Sequence, residues 1–258
     1  MSLEEKHNQR AWDKLVIQGY QFTIPVGPDI IASARAGDWQ IFLSPSRPAP
    51  RDWFGVLNGK DILCLAAGGG QQAPILAAAG AHVTVLDISP NQLEQDRFVA
   101  NREGLEILTV LGSMADLNMF PDQSFDLVVN PVSNLFISNV WPLWVECCRV
   151  LRPGGSLLAG FMNPAFYIFD RLLMDDEDKL VVRHSIPYSD LDSLNQEQIQ
   201  EMHDKGWPLE FGHSLEDQVG AQISAGFIIA GFYEDRDPRV ILSDYLPIYI
   251  ITRSIKQL

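Results

Sequence analysis

The stretch DILCLAAGGGQQAPILAAAGAHVTVLD, residues 61–87, decides the predicted fold. Its first apolar run, 62–67, shows no alternation of polar and apolar residues, which is typical of a strand buried on both faces. Three glycines follow, and the alanine-rich segment 71–79 then predicts a short helix. A second apolar run, 82–86, predicts another strand, which ends at Asp87. The stretch therefore predicts a strand, a glycine loop, a helix and a second strand.

The glycine loop and Asp87 together indicate a site for a nucleotide-containing ligand. A turn made of glycines lets a ligand approach the backbone, and the helix start beyond it offers free N–H groups. Glycines alone serve equally well to turn the chain. An acid at the tip of the second strand, roughly twenty residues after the first glycine, can also accept hydrogen bonds from a ribose diol.

Composition narrows the class of protein. The chain has 258 residues, 47% of them hydrophobic, and a net charge of −14. Such an acidic chain without a Lys/Arg cluster disfavours nucleic acid as a partner, because that binding depends on cationic groups. The three cysteines lack metal-ligand spacing, so no metal site is predicted. With no signal peptide and no apolar span of membrane length, the sequence predicts a cytoplasmic protein without a membrane partner.

The remaining strands extend the same pattern. Apolar runs at 107–111, 125–129 and 156–161 alternate with predicted helices, which indicates a parallel sheet with right-handed crossovers. No helix of useful length separates the runs 227–233 and 245–252, so we expect those two strands to pair antiparallel.

Two segments lie outside this alternation. Residues 1–58 are predicted to form an N-terminal extension that acts either as a lid or as a plain packing element. Residues 59–258 form the main domain, with an insertion at 163–212. Within the insertion, 180–186 is expected to be a strand, and a helix is expected between Asn195 and Gly206.

The order of these motifs resembles the class I S-adenosylmethionine-dependent methyltransferases. The resemblance covers about 60–162 and 214–254, and rests on the segments LCLAAGGG (63–70), VTVLDISPNQL (83–93), GSMADL (112–117), SFDLVV (124–129) and RVLRPGGSLLAG (149–160). It implies a Rossmann-like, doubly wound α/β fold with a mostly parallel seven-stranded sheet and an antiparallel last strand. It also implies S-adenosylmethionine as the cofactor.

The resemblance also implies which residues meet the cofactor: the methionine end at the glycine loop, the ribose at Asp87 and the adenine at the two following segments. These residues are Ala66, Gly68, Gly70, Asp87, Ile88, Gln92, Ser113, Met114, Ala115, Asn130 and Ser133. Three positions depart from the family pattern. Cys64 stands where an acid is usual, Ala66 replaces the first glycine, and Ser113 replaces the aspartate that holds the adenine amino group.

The substrate side is less defined by the sequence. Candidates for lining the substrate pocket are Trp12, Tyr20, Asn130, His184, Tyr188 and His213. For each aromatic or histidine side chain, ordinary packing is the alternative role. Asn130-Pro131 also matches part of a motif of amine-methylating relatives, without its aromatic residue. No catalytic residue is assigned, because transfer from a sulfonium carbon mainly requires an aligned nucleophile and the exclusion of water.

These observations predict an enzyme that transfers a methyl group directly from S-adenosylmethionine to a small molecule or, alternatively, to a protein. Two other functions stay open at this point. The spacing Gly68-x-Gly70-x-x-Ala73 also satisfies the dinucleotide fingerprint of an NAD(P)-dependent dehydrogenase. A non-catalytic protein that binds S-adenosylmethionine has the same sequence features.

Overall fold

The computed structural model describes residues 1–257 and contains one large sheet and one small one. The strands are β1 Asp61–Leu65, β2 His82–Asp87, β3 Ile107–Leu111, β4 Phe125–Asn130, β5 Leu151–Met162, β6 Tyr188–Ser189, β7 Phe211–Gly212, β8 Phe227–Asp235 and β9 Tyr249–Lys256. Seven of them form the main sheet in the order β3-β2-β1-β4-β5-β9-β8, and β6 pairs with β7.

Helices cover both faces of the main sheet and its carboxyl edge. They are α1 Leu3–Gln18, α2 Pro28–Arg35, α3 Gln72–Ala78, α4 Pro90–Glu103, α5 Trp141–Val150, α6 Arg171–Glu177, α7 Asp190–Ser193, α8 Gln196–Lys205 and α9 Ala221–Ser224. Within residues 1–257, none of them is both long and apolar enough to cross a membrane.

The sheet confirms the predicted fold class. Strands β1 to β5 are mutually parallel, whereas β9 runs antiparallel to both β5 and β8. Side chains of β1 alternate between two core layers, with Ile62 and Cys64 in one and Leu63 and Leu65 in the other. Because both faces of the strand are buried, its sequence is apolar throughout.

Several local predictions need correction. The expected strand at 180–186 is wrong: this segment makes only one isolated bridge, between Phe169 and Val182, because no neighbouring strand lies beside it. The strand in the predicted run 245–252 begins only at Tyr249, because the N–H groups of Tyr245 and Leu246 donate to the Leu242 carbonyl and continue the preceding turn. The predicted helix after Asn195 is confirmed as α8, with a reciprocal capping box at its start and Gly206 at its end.

The sequence Ser89-Pro90-Asn91-Gln92 at the start of α4 forms only half of a capping box. Ser89 caps the helix by accepting a hydrogen bond from the Gln92 N–H at 3.1 Å. The reciprocal bond is missing, because the Ser89 N–H donates to the Asp87 carboxylate at 2.9 Å. The Gln92 side chain is therefore free of a capping role.

Helix α1 packs on the loops that follow β2. Its Asp13 carboxylate accepts hydrogen bonds from the Ser89 hydroxyl at 2.6 Å and the Asn91 N–H at 3.2 Å. Gln9 donates to the Ile88 carbonyl at 2.8 Å. The N-terminal helix thus contacts the same turn that ends β2 and begins α4.

The opposite side of α1 contacts the insertion. The buried Asn8 side chain donates to the Leu209 carbonyl at 3.0 Å and accepts from the Leu209 N–H at 2.7 Å. One ring nitrogen of His7 lies 2.8 Å from the Trp207 carbonyl oxygen. A single helix therefore joins the loops at the end of β2 to the insertion.

Asp13→Ala should lower the free energy of unfolding by about 1–2 kcal/mol, because two donors at the start of α4 lose their acceptor. Denaturant titration of the full chain measures this change. Glu106→Ala, at an exposed position before β3, serves as the control and should change the same quantity by less than about 0.5 kcal/mol. Equal effects of the two substitutions would contradict the docking described here.

Candidate functional site

A single cavity of about 840 Å³ opens at the carboxyl ends of β1, β2, β4 and β5. Its size is in the range of small-molecule sites. In a parallel sheet the strands carry their loops to this edge, and ligands of such folds bind there. Helix α1 and the segment 20–45 form its roof.

Hydrogen bonds to the backbone of segment 20–45 attach it to the glycine loop and to α3. The Val26 N–H donates to the Gly70 carbonyl at 2.9 Å. The side-chain amide of Gln72 makes two hydrogen bonds with the backbone of Phe42, at 3.0 and 3.3 Å. These bonds satisfy polar groups of an irregular segment and hold its aromatic side chains over the cavity.

The glycine loop lies very close to the end of β2. The Gly68 N–H donates to the Asp87 carboxylate at 3.1 Å. A Cβ atom at position 68 would come within 2.8 Å of the Gln92 Cβ and 2.9 Å of an Asp87 oxygen. Only glycine allows this approach, so the loop and the acid form one unit.

Two buried carboxylates stand behind this loop. Asp87 is buried, and burial raises its pKa to about 6, although N–H donors from Ser89 and Gly68 oppose the rise. Burial and the charge of Asp87 raise the pKa of Asp96 well above its usual value. Asp96 accepts a hydrogen bond from the Gly69 N–H at 3.1 Å.

Ala66 has a φ of +45°, in the left-handed region. This is the position at which the family pattern has a glycine. An alanine there retains the loop geometry at a cost of about 1–2 kcal/mol, because its Cβ crowds the following carbonyl oxygen.

Gln92 presents an unusual acceptor in the cavity wall. The residue is 5% exposed, and its Oε1 atom is buried without a hydrogen-bond partner among residues 1–257. A buried amide oxygen without a donor is costly. This oxygen lies against Gly69, and a ligand in the cavity could reach it only if neighbouring atoms moved.

Most of the predicted site residues meet at the cavity. Those that line it are Ala66, Gly68, Asp87, Ile88, Gln92, Ser113, Met114 and Ser133, together with the substrate candidates Trp12 and Tyr20. The hydroxyl of Ser113 donates to the carboxylate of Glu5 on α1.

Three of the predicted cofactor-side residues lie outside the cavity lining. Gly70 faces Pro25 and the backbone of α4. Ala115 packs against a core layer on the other side of its loop. Asn130 is fully buried and donates to the Leu65 carbonyl at 3.1 Å, so it joins the ends of β4 and β1.

The other three substrate candidates also lie outside the lining. His213 is buried, with its Nε2 atom 3.0 Å from the Ile137 carbonyl oxygen. Tyr188 is buried, and its hydroxyl donates to Asp190 at 2.7 Å. The His184 ring packs edge-on against Tyr188. Tyr188 and His184 thus pack within the insertion, whereas His213 joins the segment after the insertion to the loop after β4.

The cavity also has lining residues that sequence reasoning missed. Most are aromatic or apolar, such as Phe42, Phe136 and Phe166, and three are charged, Asp38, Arg171 and Glu210. The aromatic content of the segment before β1 was a usable signal, because such a segment is unlikely to be disordered. Nothing in the sequence pairs Arg171 with Glu210, which lie in different parts of the insertion.

The residues that the structure describes include no group of three or more His, Cys, Asp or Glu side chains that could hold a metal ion. No histidine lines the cavity within this part of the chain. The titratable side chains of the lining are carboxylates, tyrosines and one arginine.

Comparison with known proteins assigns the family. A sequence model of the methyltransferase domain matches residues 63–159. The chain is 50% identical over 250 residues to the uncharacterized methyltransferase YbaJ of Bacillus subtilis, covering 97% of both proteins. The chain therefore belongs to the class I S-adenosylmethionine-dependent methyltransferases and is an enzyme of that family.

More distant relatives match over part of their length. A demethylmenaquinone methyltransferase of Tropheryma whipplei is 31% identical over 52% of this chain and 58% of its own. A fatty-acid O-methyltransferase of Mycolicibacterium smegmatis is 31% identical over 66% of this chain and 61% of its own. Among solved structures, an S-adenosylmethionine-dependent methyltransferase from Mesorhizobium loti has a TM-score of 0.61 at 19% identity, covering 80% of this chain and 95% of that one. That similarity supports the fold.

Ala66→Gly should raise the free energy of unfolding by about 0.5–1 kcal/mol, because relief of the left-handed strain exceeds the entropy that glycine adds to the unfolded chain. Ala67→Gly is the matched control. Ala67 is buried and has no positive φ, so its replacement should lower the same free energy by about 1 kcal/mol. Denaturant titration measures both, and a loss of stability in both variants would contradict the strain at Ala66.

Proposed function

We propose that the enzyme transfers a methyl group directly from S-adenosylmethionine to an apolar small molecule. One observation carries this proposal: the same cavity contains the Asp87 carboxylate at one end and a chamber lined mainly by aromatic and apolar side chains at the other. A polar cofactor and an apolar acceptor can therefore lie in contact inside it.

The cofactor end is assigned to the residues around β1 and β2. The Asp87 carboxylate is suited to accept hydrogen bonds from ribose hydroxyls, and Ile88 offers an apolar side chain for a base. The loop at Ala66 and Gly68 allows close approach of a ligand to the backbone, and Gln92 lines the wall beside it. Ser113, Met114 and Ser133 complete this end. When bound, S-adenosylmethionine supplies an electrophilic methyl group.

The contribution of the chain to the reaction is mainly positional. Helix α1 and the segment 20–45 cover the cavity, so we assign the extension 1–58 the role of a lid that excludes water. The walls restrict an acceptor to the space beside Pro131 and Ser133 at the end of β4. Orientation of this kind can supply about 7–11 kcal/mol of the barrier reduction.

An apolar acceptor agrees with the lining and with the names of the relatives. Trp12, Phe22, Trp39, Phe42 and Phe136 surround the acceptor end. Relatives that match part of the chain are named for demethylmenaquinone and fatty acids. The chain's own acceptor is proposed here as a molecule of the same apolar character.

Calorimetric titration of the full chain with S-adenosylhomocysteine and, separately, with NAD⁺ tests the cofactor assignment. We expect micromolar binding of S-adenosylhomocysteine alone, and at least about a tenfold weaker affinity in Asp87→Ala, because two hydroxyl donors lose a charged acceptor. Glu106→Ala is the control and should bind as the wild type does. Binding of NAD⁺ alone would overturn the proposal in favour of a dehydrogenase.

Affinity for S-adenosylhomocysteine should increase by about 3- to 10-fold between pH 5 and pH 7, because Asp87, with a pKa of about 6, becomes a charged acceptor over that interval. For the free energy of unfolding the sign is opposite. The contribution of neutral Asp87 is fully present below about pH 4, the usual pKa of an aspartate, and is lost as the pH rises through its folded-state pKa of about 6. Calorimetry across this range measures the effect. Asp87→Asn should remove the pH dependence, and its persistence in that variant would assign the dependence to another group.

A further inference from the structure

The charged pair inside the apolar cavity indicates a more specific acceptor. We infer that Glu210 holds a protonated amino group of an otherwise apolar acceptor, at the end remote from the glycine loop. This inference rests on the proposed function, since it concerns the molecule that receives the methyl group.

Glu210 has one oxygen engaged and one available. Its Oε2 atom lies 2.6 Å from the Arg171 Nη1 atom and accepts a hydrogen bond from the Tyr167 hydroxyl at 3.1 Å. No hydrogen bond to Oε1 comes from any residue of the described range 1–257, and the side chain is 16% exposed in a residue that lines the cavity. An acceptor-only oxygen at an apolar surface favours a ligand that donates.

The charge around Glu210 is negative in sum. Arg171 is shared between two carboxylates, because its Nη2 atom also lies 4.0 Å from the Asp175 Oδ2 atom. A third carboxylate, Asp190, accepts from the Glu210 N–H at 2.7 Å and from the Tyr188 hydroxyl. One guanidinium cannot neutralise this set, so a cation is a better complement than an anion.

Arg171 does not offer a comparable site for an anion. Its Nε atom is buried and has no hydrogen-bond partner within residues 1–257. An anionic group would have to displace neighbouring side chains to reach it. The Arg171 side chain also lines the cavity and is 34% exposed, but its guanidinium already lies between the Glu210 and Asp175 carboxylates. Its charge is therefore compensated, whereas the carboxylates together are not.

Aromatic rings surround the same part of the cavity. Phe166 and Tyr249 line it, and Tyr20 lies on the roof. Ring faces attract ammonium groups with energies that increase when water is excluded. These rings therefore favour the same charge that Glu210 favours.

The position in the sheet separates this group from the site of transfer. Tyr249 begins β9 and pairs with Met162 at the end of β5, three strand intervals from β1 and its glycine loop. Strands lie about 4.8 Å apart, so Tyr249, at the same end of the cavity as Glu210, lies roughly 14 Å from β1 across the sheet. A protonated amine has no free electron pair for methyl transfer, so Glu210 positions the acceptor and a different atom receives the methyl group.

Three probes of one shape test the inference: 1-naphthylmethylammonium, 1-naphthylmethanol and 1-naphthoate. Calorimetry of the full chain, with and without saturating S-adenosylhomocysteine, measures their affinities. We expect the ammonium probe to bind at least about tenfold more tightly than 1-naphthoate, since a charge-assisted hydrogen bond supplies about 10- to 100-fold in affinity. Tighter binding of 1-naphthoate, or equal binding of the two, would overturn the inference.

Two variants of the pair should act in opposite directions. Glu210→Gln keeps an acceptor for the Tyr167 hydroxyl. It should lower the affinity for the ammonium probe about 10- to 100-fold and change the affinity for 1-naphthylmethanol by less than about threefold. Arg171→Gln should raise the affinity for the ammonium probe, because it removes a cation that competes for the Glu210 carboxylate. If Arg171 and Glu210 only stabilise the fold, both substitutions should lower the affinity for all three probes. That result would overturn the inference.

The two proposals fail in distinguishable ways. Loss of S-adenosylhomocysteine binding in the wild type would reject the cofactor assignment, while the probe series without that ligand still reports on Glu210. Normal S-adenosylhomocysteine binding without a preference for the ammonium probe would reject only the inference about Glu210. Glu106→Gln is the matched control for the charge change and should leave all affinities unchanged. If Glu210→Gln does not fold, the comparison of the three probes on the wild type decides the question.

Discussion

The hydrogen bond from the Gly68 N–H to the buried Asp87 carboxylate is the contact on which the site depends. It joins the ends of β1 and β2 at the edge where ligands of this fold bind. The contact requires a glycine at 68, because a Cβ atom would meet both Asp87 and Gln92. It also places a carboxylate in a buried position, where its pKa rises and its charge is available to a ligand that brings donors.

Helix α1 packs on the same region and also contacts the insertion. Through Asp13 and Gln9 it contacts the turn after β2, and through Asn8 it contacts Leu209, two residues before β7. The next residue along the chain is Glu210, which lines the cavity. One helix thus joins the turn after β2 to the segment that carries Glu210, so any movement of α1 would shift both parts of the cavity wall.

The sequence supported correct predictions where chemistry is local. The apolar run of β1, the glycines, and the caps at Asn195 and Gly206 lie within short stretches whose geometry follows from neighbouring residues. Predictions from the sequence were wrong where the local structure depends on a partner that is distant along the chain. Residues 180–186 have strand-like composition but find no partner strand, and His213 and Tyr188 satisfy their polar atoms within the fold instead of facing the cavity.

By itself, the sequence determined the order of strands and helices and the glycine loop with its acid, because these depend on local periodicity and on spacing within one unit. The methyltransferase family was indicated separately, by the resemblance of its motifs to those of that family. Only the tertiary structure decided which side chains share the cavity. Trp12, Phe42, Asp87, Arg171 and Glu210 are distant along the chain and meet in one place. Such proximity comes from the packing of the extension and the insertion across the sheet edge, and long-range packing leaves no periodic signal in the residues it brings together.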